Sequence, residues 1–194
     1  RGQRLGRGNK ALLPCAGEPL FLHALRALRA APSVAEVTLV MPARDLRSLA
    51  DRGDLDPAGL GGTRGVDGGP ERWISSRAGC TAADPRCPYL LVHDAARPLV
   101  EPELVEAVLA AARREGAALA AEPLQDTLKR EDEEHRVALT IPRAGLWRAQ
   151  TPQAFRREIL LEAFASWQRA DPPTDECALV EALAVHPALV PAPS

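Results

Sequence analysis

Residues 91–100 read LVHDAARPLV, an aliphatic run that ends in His93, Asp94 and Arg97. Tyr89 to Val92 are short, apolar and preceded by Pro88, the pattern of a buried strand. A strand that delivers a carboxylate, two small residues and an arginine sets charge at its C-terminal end, where open α/β sheets bind their ligands. A carboxylate there can hold a magnesium ion, which takes oxygen ligands and binds through one or two carboxylates plus substrate phosphates. The competing reading makes Asp94 a helix cap and Arg97 a solvated cation, although Glu101 lies closer to the helix expected from Pro102.

Three further stretches carry groups that handle phosphate. The opening loop, Gly2-Gln3-Arg4-Leu5-Gly6-Arg7-Gly8-Asn9-Lys10, combines glycines that admit backbone N–H groups to phosphate oxygens with cations that neutralise charge. Its spacing is not that of a Walker loop, and a flexible terminus accounts for it equally. Gly68-Gly69-Pro70-Glu71-Arg72-Trp73-Ile74-Ser75 puts two glycines ahead of a helix, a place for a base or phosphate to lie against backbone. Taken alone, a surface turn explains it too. Asp126-Thr127-Leu128-Lys129, with Arg143 and Thr151-Pro152-Gln153, adds hydroxyls and cations of a kind that structural turns also use.

The elements that must position these groups follow from periodicity and punctuation. Leucine and alanine at helical spacing predict a helix from Pro19 to Ala31, stopped by Pro32. Residues 36–41 read as a strand, 45–51 as a short helix and 59–69 as a glycine-rich loop interrupted at most by a short strand. Pro70 is expected to open a helix as its first residue. After the strand at Tyr89 come a helix from Pro102 to Glu115 and an alanine-rich strand at 117–122. This alternation predicts an α/β domain with a mostly parallel central sheet covered by helices. Residues 124–150 break the pattern: two short β-like pieces around a charged turn suggest a hairpin too polar for a core, projecting as an arm. Helices are expected from Phe155 to Arg169 and from Asp175 to Ala184.

Bulk properties narrow the function classes. At 194 residues and 20.8 kDa the chain fits one domain, 1–194, with a real core. A net charge of −2 gives no basic footprint for nucleic acid. No apolar run approaches the ~20 residues that cross a bilayer, so neither membrane nor nucleic acid is expected as a partner. The four cysteines include no C-x-x-C pair, which argues against a zinc site or disulfide framework and for a cytoplasmic setting. The glycine-rich loop at Arg1 is of the kind that follows a buried strand, and VPAPS ends abruptly, so both ends of the natural chain are expected to extend further.

In their order along the chain, GGPERWISSRAG, LLVHDAARPLV, DTLK, GLWRAQTPQAF and TDECALVEAL resemble the 2-C-methyl-D-erythritol 4-phosphate cytidylyltransferase family of the non-mevalonate isoprenoid pathway. The resemblance covers nearly all of the chain. It implies a Rossmann-like nucleotidyltransferase fold, CTP and Mg2+ as co-substrate and cation, and a homodimer joined through the 124–150 arm. Arg4 and Lys10 match the catalytic basic pair that stabilises charge on the α-phosphate. Gly2, Gly69 and Ser75 match CTP-binding positions, and Asp94 matches the metal-binding aspartate. Arg97, Thr127, Arg143 and Thr174 match acceptor-side positions, the arm residues reaching the neighbouring subunit's site. Asn9 stands where the family usually has proline, the loop between Arg4 and Lys10 is one residue short, and Pro70 replaces a common aspartate. The family's first strand and a C-terminal lysine lie outside this sequence.

The reaction implied is in-line attack by the acceptor phosphate on CTP, with no covalent enzyme intermediate. A sister enzyme acting on ribitol 5-phosphate shares fold and core motif. A non-catalytic nucleotide-binding or dimerisation module is the alternative from another class, and fusion to another enzyme of the pathway stays open.

Overall fold

The computed structural model describes residues 9–51 and 63–192. Gly2 and Arg4 therefore lie outside the described residues. The first described element is a 3-10 turn, Lys10–Leu12, capped by the Asn9 side chain, which accepts from the Ala11 N–H. A small antiparallel pair follows, β1 (Pro14–Cys15) and β2 (Glu18–Pro19). Helix α1 (Leu20–Ala30) then buries Phe21, Ala24 and Leu25. Strand β3 (Thr38–Met41), helix α2 (Ala43–Asp51) and strand β4 (Arg64–Asp67) form a unit in which β3 and β4 pair in parallel.

Helix α3 (Arg72–Ala82) leads into β5 (Tyr89–Val92), and α4 (Pro102–Glu115) into β6 (Ala117–Pro123). Proline opens α4 as expected, and Gly116 closes it at φ 87°, its N–H donating to the Ala112 carbonyl at 2.8 Å. A left-handed residue in that place is the usual end of a helix, and glycine takes it without strain. The expected hairpin is present as β7 (Leu128–Glu131) and β8 (Val137–Ile141), paired antiparallel. Strand β9 (Trp147–Arg156), helices α5 (Arg157–Ser166) and α6 (Glu176–Glu181), and strand β10 (Ala188–Pro191) are the remaining described elements.

The principal sheet has the order β10-β6-β9-β5. Strands β10 and β6 are parallel, and β9 runs antiparallel to both β6 and β5, so among the described strands of this sheet β9 alone is reversed. Alternation along β6 divides the core between two faces. Ala118 and Ala120 meet Val105, Val108 and Ala112 of α4, while Leu119 and Ala121 share a cluster with Leu160, Phe164 and Val180 from α5 and α6. Alanines at these positions let α4 lie close against the sheet.

Two expectations need correction. Residues 155 and 156 belong to strand β9 and not to a helix, which starts only at Arg157 and ends at Ser166. Ala154 and Phe155 are buried on opposite faces between two paired neighbours, so this stretch shows no polar alternation to mark it as a strand. Pro70 does not open α3: Glu71 is the N-cap and Arg72 the first helical residue.

Among the described residues β3 pairs only with β4 and β5 only with β9, leaving both with an open edge. Those strands line one cavity of about 460 Å³, whose walls include Phe21, Leu25, Leu39 and Leu90. Beyond the C-terminal end of β5 the same cavity is lined by Ser75, Arg72, His93 and Asp94.

Arg157 secures the approach to β5. Its guanidinium donates to the carbonyls of Cys87 at 2.8 Å, Ala83 at 3.3 Å and Asp84, and its own N–H donates to Pro88 at 2.9 Å. Removing the guanidinium in Arg157→Met strands these half-buried carbonyls and is expected to destabilise the fold by about 2–3 kcal/mol. Urea unfolding with an unchanged slope measures this; a midpoint equal to that of the parent would show that other contacts hold the link.

Candidate active site

The loop after β5 is shaped by its own short contacts. The Arg97 N–H donates to the Asp94 carbonyl at 2.9 Å, turning the chain back, and His93 Nε2 donates to the Arg97 carbonyl at 3.0 Å. Burial pushes the His93 pKa down, so the ring is a neutral structural donor at neutral pH. From β9, the Thr151 hydroxyl oxygen accepts the Asp94 N–H at 3.2 Å. The strand that escaped sequence reading therefore anchors the residue at the centre of the site.

The Asp94 carboxylate lies between two arginines. Its Oδ1 accepts from Arg72 Nε at 3.3 Å and Nη2 at 3.2 Å, and its Oδ2 accepts from Arg97 Nε at 3.2 Å. Arg72 is the first residue of α3, where a cation opposes the helix dipole and needs anionic partners. Besides Asp94 it has Glu176, whose two oxygens both accept from Nη1, at 2.8 and 2.9 Å. Glu176 is fully buried, at 0% exposure. Burial works against the Arg72 charge, but Glu176 and then Asp94 outweigh it and hold its pKa above the ordinary arginine value.

Glu176 is set in place from the sheet. Asp175 caps α6 by accepting from the Ala178 N–H at 2.9 Å, and its other oxygen accepts from Gln153 of β9 at 2.9 Å. Gln153 in turn accepts from the Cys177 N–H at 3.3 Å. Thus β5, β9, α3 and α6 converge on one carboxylate–arginine cluster.

Gly69 and Ser75 stand at the start of α3. The Gly68 N–H donates to Met41 at the end of β3 at 2.8 Å, and a Cβ on Gly69 would lie 2.2 Å from Ile74 Cγ2. A side chain at Gly69 would therefore force Ile74 to shift. Ser75 points its hydroxyl back at the Glu71 and Gly69 carbonyls, at 3.0 and 3.3 Å. Among the described residues no side-chain cap closes α3, which leaves its first N–H groups available to an anion.

Lys10 begins the 3-10 turn beside this region. Its neighbour Ala11 shares a buried cluster with Met41, and Ala95 packs against the same cluster. Thr174, exposed, lies two residues before Glu176. Thr127 and Arg143 flank the two hairpin strands elsewhere in the chain, and the Arg143 guanidinium donates to the Gln125 carbonyl. No described hydrogen bond or ion pair joins them to the Asp94 cluster.

The donor set fits a magnesium ion. A carboxylate offers roughly four lone-pair sites. Arg72 and Arg97 occupy three of those on Asp94, leaving one on Oδ2 among the described contacts. No group of three or more His, Cys, Asp or Glu suited to a metal occurs among the described residues. A cation here would thus lean on one carboxylate and the phosphates of its ligand, which suits magnesium. Burial pushes the thiols of Cys80, to about 12, and of Cys177 up, which disfavours thiolate chemistry at these two residues.

The model of the family described as 2-C-methyl-D-erythritol 4-phosphate cytidylyltransferase matches residues 1–194. The chain belongs to this family. It is 47% identical over 187 residues to a protein named bifunctional enzyme IspD/IspF from Anaeromyxobacter sp. (strain Fw109-5), covering 94% of this chain but 47% of that protein. The chain thus spans about half the length of that relative. A 2-C-methyl-D-erythritol 4-phosphate cytidylyltransferase from Aromatoleum aromaticum is 42% identical, with 93% of this chain and 77% of that protein covered. The crystal structure of the enzyme of that name from Thermus thermophilus superposes with a TM-score of 0.79 at 36% identity, covering 97% of this chain and 86% of the other. The Rossmann-like nucleotidyltransferase fold expected of the family is therefore the fold of this chain.

Sequence reasoning passed over Arg72 and Glu176. Both lay inside motifs quoted for the family, and a physical signal was present: an arginine opening a helix and a glutamate opening an apolar one each call for a partner. Gly69→Ala is expected to destabilise the fold by about 1–3 kcal/mol, the usual effect of forcing a methyl into a filled space. Thermal and urea unfolding check this; a variant as stable as the parent would show that the Gly69 turn can yield.

Proposed function

We propose that this chain transfers the cytidylyl group of CTP to 2-C-methyl-D-erythritol 4-phosphate and releases pyrophosphate, a step of isoprenoid precursor synthesis. The observation that carries this reading is the Asp94 carboxylate, set by Arg72, Arg97 and Thr151 at the C-terminal end of β5 in a chain of this family. An acceptor phosphate oxygen forms a bond to the α-phosphorus of CTP. The bond from that phosphorus to the oxygen bridging to the β-phosphate breaks, and the oxygen keeps the electron pair and leaves in pyrophosphate. The acceptor is already anionic, so the protein need supply no nucleophile and no base.

Its task is to bring two polyanions together and offset the charge between them. Gly2, Gly69 and Ser75 are proposed to hold CTP, with the cytosine against the Gly69 backbone. Arg4 and Lys10 offset charge on the α-phosphate. Asp94 would hold Mg2+, which supplies neutralisation of the triphosphate when bound. Arg97 and Thr174 would meet the acceptor, and Thr127 with Arg143 would serve the site of a neighbouring copy. That last role requires a homodimer joined by the β7–β8 arm, whose Val137 and Leu139 are 63% and 44% exposed and would be covered by a second copy.

In the full-length protein supplied with CTP and Mg2+, pyrophosphate release is expected with methylerythritol phosphate and not with ribitol 5-phosphate. Release with ribitol 5-phosphate alone would move the assignment to the sister activity, and silence with both would favour a non-catalytic module. Lys10→Ala is expected to lower kcat by about 10²–10³-fold, the scale of losing one transition-state donor. Unchanged turnover would remove Lys10 from the mechanism. Sedimentation should show a dimer, converted to monomer by Val137→Glu with Leu139→Glu; a parent that is monomeric at micromolar concentration contradicts the arm's role.

A further inference from the structure

Glu176 presents a physical problem. A carboxylate taken fully out of water is costly even when paired, and apolar residues of similar volume often do as well or better for stability. Its neighbours in α6, Cys177, Leu179 and Val180, are apolar and buried, so an apolar side chain would suit the packing. What an apolar side chain would not do is hold Arg72.

The geometry of that hold is specific. A guanidinium is planar and rigid, so anchoring one of its nitrogens restricts the directions in which the others can donate. Glu176 takes Nη1 with both of its oxygens, leaving Nε and Nη2 to face Asp94 Oδ1. Arg72 itself is 40% exposed in its side chain and would otherwise be free to turn toward solvent. On the opposite side Arg97, three residues from Asp94 and 47% exposed, pulls on Oδ2. With Arg72 released, Asp94 would have Arg97 alone as its described cationic partner and would be drawn toward its own loop.

Charge balance adds to this. Arg72 and Arg97 against Asp94 and Glu176 sum to zero, whereas loss of the Glu176 charge leaves a net positive cluster around Asp94. Such a cluster repels a divalent cation and grips a bare triphosphate.

We propose that Glu176 is a positioning residue: buried beneath α3, it anchors Arg72, and Arg72 holds the Asp94 carboxylate in the orientation and charge balance that a cation–polyphosphate complex requires. The proposal rests on the cytidylyl-transfer reading above. Gln153 and Asp175 extend the arrangement, since they tie the start of α6 to β9 and so give Glu176 a rigid footing.

The test compares full-length parent, Glu176→Gln, Arg72→Lys and, as a control, Glu122→Gln. Glu122 is also a buried carboxylate, 8% exposed and paired with Arg148, but it has no described contact with Asp94. Glutamine keeps the shape of Glu176 and one acceptor oxygen while removing its charge. Lysine keeps the Arg72 charge but lacks the planar set of donors that reaches Glu176 and Asp94 in fixed directions. Mn2+ binding in the presence of CTP is read from free-ion EPR at equilibrium, and kcat and KM for the acceptor are measured alongside unfolding midpoints.

Glu176→Gln and Arg72→Lys are each expected to weaken Mn2+ binding and lower kcat by about 10–100-fold, the usual range for residues behind a metal ligand, with little change in acceptor KM. Glu122→Gln should lower the unfolding midpoint without moving Mn2+ affinity. If Glu176→Gln and Arg72→Lys shift only the midpoint, as the control does, Glu176 is structural and the proposal fails. If Glu176→Gln does not fold, Arg72→Lys decides by the same readouts. A parent silent in turnover overturns the proposed function instead, and its Mn2+ affinities still decide the role of Glu176.

Discussion

The ion pair between Glu176 and Arg72 joins parts of the molecule that lie far apart along the chain. Glu176 opens α6, Arg72 opens α3, and the guanidinium continues to Asp94 beyond the end of β5. The pair runs from a fully buried carboxylate to a half-exposed one, so it links core to surface. In a medium of low dielectric such a pair needs further hydrogen bonds to be tolerable. Nearby, Gln153 and Asp175 make the bonds that seat the start of α6 on the sheet. Around this junction, the position of Asp94 follows both from the contacts within its own loop and from the helices and strand that reach it from outside.

Strand β9 is the second condition. Among the described strands it is the one reversed member of the principal sheet, paired on both sides with strands running against it. It carries Thr151 to the Asp94 N–H and Gln153 to Asp175, with both side chains buried. The reversal brings the middle of β9 past the C-terminal end of β5, where a further parallel strand would present only its own end.

Much of this was legible in residue order. Pro102 and Gly116 punctuate α4, the Tyr89–Val92 run forms β5, and the charged turn between β7 and β8 is a hairpin. Asp94 with Arg97 stood out because they follow directly on an apolar run. The reversed strand was not legible, because Ala154 and Phe155 are buried on both faces and carry no period that separates strand from helix. The Arg72–Glu176 contact spans 104 residues, and no local rule links its ends. It is visible in sequence only as two unpaired demands, a cation at one helix start and a carboxylate before an apolar run.

The chemistry proposed for this arrangement is one of placement. Among the described residues the buried thiols are held protonated, His93 is committed to the Arg97 carbonyl, and the groups gathered around Asp94 are cations, backbone N–H donors and hydroxyls. None of these offers an activated nucleophile, so the proposed transfer passes directly from CTP to the acceptor. The configuration of the α-phosphorus reports this directly. Turnover of a single diastereomer of CTP carrying sulfur on the α-phosphate, followed by 31P NMR assignment of the product, is predicted to give inversion. Retention would require a nucleotidyl group bound to the protein along the way and would contradict the account.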